Sequence, residues 1–263
     1  MAIEVAKIKS SNVVAFDESI LLEDVGAGQE NMTKDDMMIP RITILQQMSP
    51  QTMKREGDYV EGAEAGHIFD NVAQKVFDGE KGITVVPISY RRAHIEWKAD
   101  RGGLVRDHGS DSACLANCTR GDKGEYFTDE GNEIVPTGEY FVFIVNEDGS
   151  HSPALLSMSK SQMKRAKQWN AMISRLMVDI QGKKQNPAMF WNAYNLSTVP
   201  ESNDQGSWFG WSIKMLFDAQ SGGIIQNLDN GKNIYLEARA FKKDIAAGNV
   251  NVSSESTTDD DVM

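Results

Sequence analysis

The stretch GITVVPISYRRAHIEWK, residues 82–98, constrains this chain more than any other. It is rich in β-branched and aromatic residues, which fit a pleated strand better than a helix. Pro87 cannot donate to a ladder, so it predicts a sheet edge or a bulge at that point. A run this long needs partner strands, and the chain supplies them. PRITILQQ alternates after Pro40. EYFVFIV, an Asp-Gly turn and HSPALLSM read as a hairpin, with Phe141 and Phe143 as core. FWNAYNLSTV, the loop PESNDQGS and WFGWSIKMLF read as strand, loop and strand.

One segment breaks the pattern. In SKSQMKRAKQWNAMISRLM, Ala166, Trp169, Ile173 and Leu176 share a face at 100° per residue, and Lys160, Lys164, Lys167 and Arg175 gather on the other. Ser159 and Gln162 have the spacing of a capping box. A basic face of this kind is either simply solvated or the rim of a phosphate site. LEARAFKKDIAAG predicts a second helix that stops at Gly248. The expected fold is therefore mainly β: an OB-fold-like antiparallel barrel with an inserted basic amphipathic helix and flexible acidic termini. A jelly-roll sandwich fits the pattern nearly as well.

The formal net charge of -11 argues at first against a polyanionic partner, but its placement matters more. Residues 1–36 hold eight acids and three bases, and residues 244–263 hold five acids and no base. The body between them is nearly balanced, so it can still carry a basic groove. The expected organisation is a flexible acidic segment over 1–36, a nucleic-acid-binding domain over 37–247 and a disordered acidic tail over 248–263. No apolar run approaches the roughly 20 residues of a membrane span, and the start lacks a signal-peptide stretch, which predicts a cytoplasmic protein with no membrane partner.

Three stretches interleave rings and cations. Tyr90, Arg92 and His94 would share one strand face, with Arg91 on the other and Trp97 and Lys98 just beyond. Trp191 and Tyr194 form the second group; Trp208 and Lys214 lie in the third. Single-stranded nucleic acid is bound by this mixture, rings for bases and cations for phosphates. Aromatic residues in strands are also ordinary core, so each ring has that competing reading.

Enzyme signatures are missing. There is no GxxxxGK[ST] phosphate loop and no GxSxG elbow. Glu96-Trp97-Lys98 has a nuclease-like acid-x-Lys spacing without a companion acid. His108, Cys114 and Cys118, with His94 upstream, could hold zinc, but the spacing fits a plain loop better. The expectation is no catalysis, no cofactor and no disulfide.

The runs MMIPRITILQQMSPQ, VVPISYRRAHIEWK, the basic helix through KQWN, and LSTVPESNDQGSWFGW resemble bacteriophage single-stranded DNA-binding proteins of the OB-fold type, over roughly residues 37–217. The resemblance implies a sequence-independent coat on single-stranded DNA, acting in replication and recombination in the host cytoplasm. It also supplies a role for Asp259, Asp260 and Asp261, which precede Val262 and Met263. Such an acidic tail can compete for the DNA groove or dock replication proteins. The last residue is Met where the family commonly has an aromatic. The plain alternative for the tail is a solubilising end, and for the whole chain a non-enzymatic virion or assembly protein with a β-sandwich.

Overall fold

The computed structural model describes residues 23–24, 27–31, 38–99, 103–204 and 206–250. The chain divides into two units, Met1–Met37 and Met38–Met263. In the first, the Gly28 N–H donates to the Glu30 carboxylate (3.0 Å) in a local turn. The tail residues Asp259, Asp260 and Asp261 lie outside the described residues.

The second unit is mainly β. Its first seven strands are β1 (Arg41–Ile44), β2 (Ile68–Asp70), β3 (Lys75–Phe77), β4 (Ile83–Trp97), β5 (Leu104–Asp107), β6 (Thr119–Arg120) and β7 (Tyr126–Phe127). Then follow β8 (Glu133–Val145), β9 (His151–Ser159) and helix α1 (Met163–Arg175). The chain continues through β10 (Val178–Ile180), β11 (Lys183–Gln185), β12 (Tyr194–Asn203) and β13 (Gly206–Met215), and ends in α2 (Gly223–Asn227) and α3 (Gly231–Ala246). The main sheet runs β13-β12-β4-β8-β9-β1-β2-β3 and curls into a half-barrel. Its pairings are antiparallel except β1 on β9. Strand β5 adds to β4, and the β6–β7 hairpin adds to β8. Strands β10 and β11 form a separate hairpin. Among the described residues, no helix is long and apolar enough to cross a membrane.

Strand β4 is the spine, and Pro87 marks its bulge. The register against β8 shifts between Pro87 and Ser89. Ile83 and Val85 therefore face one side, Val86 and Ile88 the other, and Tyr90 returns to the first. On that first side lies the larger core. Trp169 of α1 is fully buried, stacks on Tyr140 (4.4 Å between centroids) and meets Tyr194 edge-on (5.5 Å). The Tyr140 hydroxyl donates to the Ala166 carbonyl at 2.9 Å. Gly138 lies beneath this contact: a Cβ there would stand 3.2 Å from the Tyr90 ring and 3.3 Å from Ala166. On the opposite side, α3 brings Ile234 and Ala238 against Val86, Ile88 and Phe143. Phe143 stacks on Phe241 at 5.6 Å.

Helix α1 follows a 3-10 turn over Lys160–Gln162, and the predicted Ser159–Gln162 capping box does not form. The Gln162 side chain is drawn elsewhere: its Oε1 accepts from the Trp211 N–H at 3.0 Å. Gln46, just past β1, treats Phe209 the same way. Its Nε2 donates to the Phe209 carbonyl (3.0 Å), and its Oε1 accepts from the Phe209 N–H (2.9 Å). The outer edge of β13 is thus met by two side-chain amides at alternate residues. Gly66 makes room beside them, with φ at +90° and a virtual Cβ 2.6 Å from the Phe209 ring.

Two boundaries differ from expectation. The segment PESNDQGS is mostly strand: the ladder continues from Pro200 opposite Phe209 to Asn203 opposite Gly206. Helix α3 begins five residues before the predicted stretch. Its start is set by packing, because Gly231 abuts the Ile224 carbonyl where a Cβ would collide. Its end agrees, with Gly248 at φ +73°.

Candidate nucleic-acid interface

A groove of about 400 Å³ opens between the entry to α1, the outer stretch of β8 and the β6–β7 hairpin. Arg92, Lys123, Lys160 and Lys167 bring four cations to it, and Tyr126, Pro136 and Met163 give it apolar surface. Glu125 and Glu133 also line it. Glu133 takes up the Lys160 ammonium at 3.2 Å. Glu125 accepts from the Lys123 backbone N–H at 3.0 Å. Among the described residues, Arg92, Lys123 and Lys167 have no carboxylate partner, so three cations remain for a ligand. Tyr126 is half-buried, with the Arg120 guanidinium 4.3 Å from its ring centre and also donating to its hydroxyl (2.6 Å). Lys160 has a left-handed φ of +42°, uncommon for a residue with a Cβ.

Arg92, Lys160 and Lys167, from two stretches far apart in sequence, thus come together. Lys123 and Tyr126 complete the groove and were missed by sequence reasoning. Their signal was present in RGDKGEYF, where two cations and two rings fall inside one short hairpin.

The other expected site residues are placed differently. Tyr90 is half-buried and tilted onto Tyr140 at 4.9 Å. Tyr194 is 0 % and Trp97 5 % exposed; both are core side chains and offer no ring to a base. His94 is 3 % exposed. Burial, followed by the nearby Arg92 charge, pushes its pKa below the usual imidazole value. Arg91 points to the other face, where its guanidinium is bound to Glu139 (2.6 Å) and Asp107 (3.1 Å). Trp191 is half-buried and lies edge-on to Tyr235 at 6.5 Å. Trp208 is half-buried, and its Nε1 donates to Glu201 (3.1 Å), which also holds Arg165 (2.8 Å). Lys98, Lys164 and Lys214 are exposed and lie outside the groove lining.

The zinc candidates are occupied with other partners. His108 Nε2 lies 2.7 Å from the Glu96 carboxylate. The thiols of Cys114 and Cys118 donate to the carbonyls of Asp111 (3.0 Å) and Cys114 (3.3 Å). Burial pushes both thiols up, away from the thiolate a metal would need. Among the described residues, no three His, Cys, Asp or Glu side chains gather as a metal would require.

No curated protein and no solved structure matches the chain. A family model does, over residues 14–251, and its description is Pam3 phage gp34-like protein. That span covers nearly the whole sequence, including every strand of the sheet and the helices α1, α2 and α3. The chain belongs to the Pam3 phage gp34-like protein family and is a phage protein.

Proposed function

We propose that this protein binds single-stranded DNA, without catalysis and without sequence preference, along the groove between α1 and the β6–β7 hairpin. The observation that carries the reading is the convergence of Arg92, Lys123 and Lys167, without a carboxylate partner among the described residues, around the apolar surface of Tyr126, Pro136 and Met163. Cations placed this way meet phosphates, and a ring beside them meets a base; neither contact reads sequence. The curled sheet with its inserted helix supports an OB-type reading of the fold. A coat protein for exposed strands would serve phage replication and recombination, and its place of action would be the host cytoplasm.

The test is a titration of single- and double-stranded oligonucleotides at two salt concentrations. Single strands should bind more tightly, with log affinity falling against log salt by about 0.7 per phosphate neutralised. Tyr126→Ala should weaken binding by about 1–3 kcal/mol and leave the thermal midpoint nearly unchanged. Equal affinity for duplex and single strand would overturn the reading. Binding to neither would favour the virion or assembly alternative.

A further inference from the structure

Helix α3 carries six charged residues: Lys232, Glu237, Arg239, Lys242, Lys243 and Asp244. No acid among them stands three or four residues from a base, the spacings at which helical side chains meet. Arg239 has Lys242 and Lys243 at those two spacings instead, where like charges repel. The helix dipole favours Lys243, in the last turn, but its effect fades before Arg239. The charges are also sorted by flank. At 100° per residue, Glu237 and Asp244 fall to one side of the face that buries Ile234 and Ala238. Tyr235 and Lys242 fall to the other side, with Arg239 and Lys243 beyond them. Glu237 is engaged by His151 at 2.9 Å. Among the described residues, Arg239, Lys242 and Lys243 have no ion pair.

These three cations rim a groove of about 470 Å³, and no carboxylate is among its lining residues. Ile88, Met189 and Phe190 give it an apolar floor. Its rings pack on one another. Phe190 is 4 % exposed and meets Tyr235 edge-on at 4.9 Å, so it has no open plane on which a base could stack. Tyr235 also meets Trp191 edge-on at 6.5 Å. We infer that this groove docks an acidic segment of another protein, whose carboxylates meet Arg239, Lys242 and Lys243 and whose aliphatic side chains rest on the floor. Charge complementarity selects the occupant. The helix sets its cations together, away from its own acids, and an incoming carboxylate relieves their mutual repulsion. A self-complementary contact between two copies through this face would set the same cations against each other. The groove shares no lining residue with the one at α1, so filling it leaves Arg92, Lys123 and Lys167 free. The inference does not rest on nucleic-acid binding.

The probe is a fluorescent synthetic peptide of Glu and Leu residues, titrated into the full chain and followed by anisotropy. It should bind, and carbodiimide should join its carboxylates to Lys242 and Lys243, as read by mass spectrometry. Arg239→Gln should weaken binding severalfold, while the circular dichroism stays that of the parent. Lys242→Gln combined with Lys243→Gln should weaken it further. A peptide with serine in place of every leucine should bind severalfold more weakly, because the floor then gains no apolar contact. A single-stranded oligonucleotide should not displace the peptide. Failure of the peptide to bind, equal binding of the serine peptide, cross-links concentrated on Lys123, Lys160 and Lys167, or displacement by the oligonucleotide would each overturn the assignment.

Discussion

From Ile83 to Tyr90, β4 runs between two apolar clusters, with α1 over one side and α3 over the other. From Arg91 to Trp97, the same strand runs among charges. Glu139, 1 % exposed at its side chain, is held by Arg91 at 2.6 Å and faced by Arg41 at 3.8 Å. Arg91 also binds Asp107 (3.1 Å). Glu96 accepts from Asn132 (2.8 Å) and lies beside His108 (2.7 Å). Only a small cluster of Ala93, Ile95, Trp97 and Val135 is apolar there. One half is stabilised by area removed from water and is indifferent to salt and pH in their ordinary ranges. The other depends on partners, and a buried charge that loses its partner becomes a liability.

The largest expected effect lies in the inner half. Trp169→Ala deletes a fully buried ring between Tyr140 and Tyr194 and should destabilise the protein by about 3–5 kcal/mol, read as a shift in the urea midpoint. A loss under about 1 kcal/mol would mean that α1 is not part of the core. Next comes Glu139→Ala in the outer half. It strands Arg41, leaves Arg91 with Asp107 alone, and should cost about 3 kcal/mol. Pairing Glu139→Leu with Arg41→Met should recover much of that loss, because the buried Arg41 charge is then gone and Arg91 still has Asp107. If the double variant is as unstable as the single one, the cluster acts by packing and not by charge. Gln46→Ala leaves the Phe209 N–H and carbonyl without the amide that serves them, at about 1–3 kcal/mol if water cannot replace it.

The smallest effects are in pH, and they separate the halves by sign. Burial and the Arg92 charge depress His94 below 6.5. In Glu96, burial acts to raise the pKa, but the hydrogen bonds from Asn132 and His108 outweigh it and hold the carboxyl below 4.5. Both groups have depressed folded values, so their contributions are present above the unfolded values and are lost as pH falls through the folded ones. Amide exchange over 91–97 should therefore quicken below about pH 6.5, after correction for intrinsic rates, before exchange over 83–88 does. The inner half responds to alkali. Burial pushes Tyr194 up to about 12 and Tyr140 higher still. Their contribution is full below the ordinary phenol value of 10.0 and is lost as pH rises through the folded values. Simultaneous loosening of both halves at either extreme would dissolve the distinction.

The inner half was legible because hydrophobic spacing reports burial directly. Ala166 and Trp169, four residues from Ile173 and seven from Leu176, read as a helix face, and both are fully buried. Pro87 announced its bulge through a missing donor. The outer half was not legible, because charge in a sequence does not say where its partner lies. Arg91 looked like a phosphate ligand, yet Glu139 is 48 residues away and Asp107 is 16. Trp97 looked like a platform for the same reason that it is core: an aromatic ring in a strand suits either. At the groove, Arg92 was chosen by local interleaving of rings and cations, and Lys160 and Lys167 by the basic face of the helix pattern. That the β6–β7 hairpin would bring Lys123 and Tyr126 to them depends on its pairing with β8, a contact that no local pattern encodes.

Polymer chemists end a growing chain with a monomer that has one reactive end. Gln46 does this for the sheet. Its amide presents to Phe209 the same donor and acceptor that a residue on a neighbouring strand would. It has no further residue in register, so nothing can add beyond it. Gln162 repeats the termination two residues along, at Trp211. A backbone arriving at this stretch of β13 must first evict two side chains, one rooted at the exit of β1 and the other at the entry to α1.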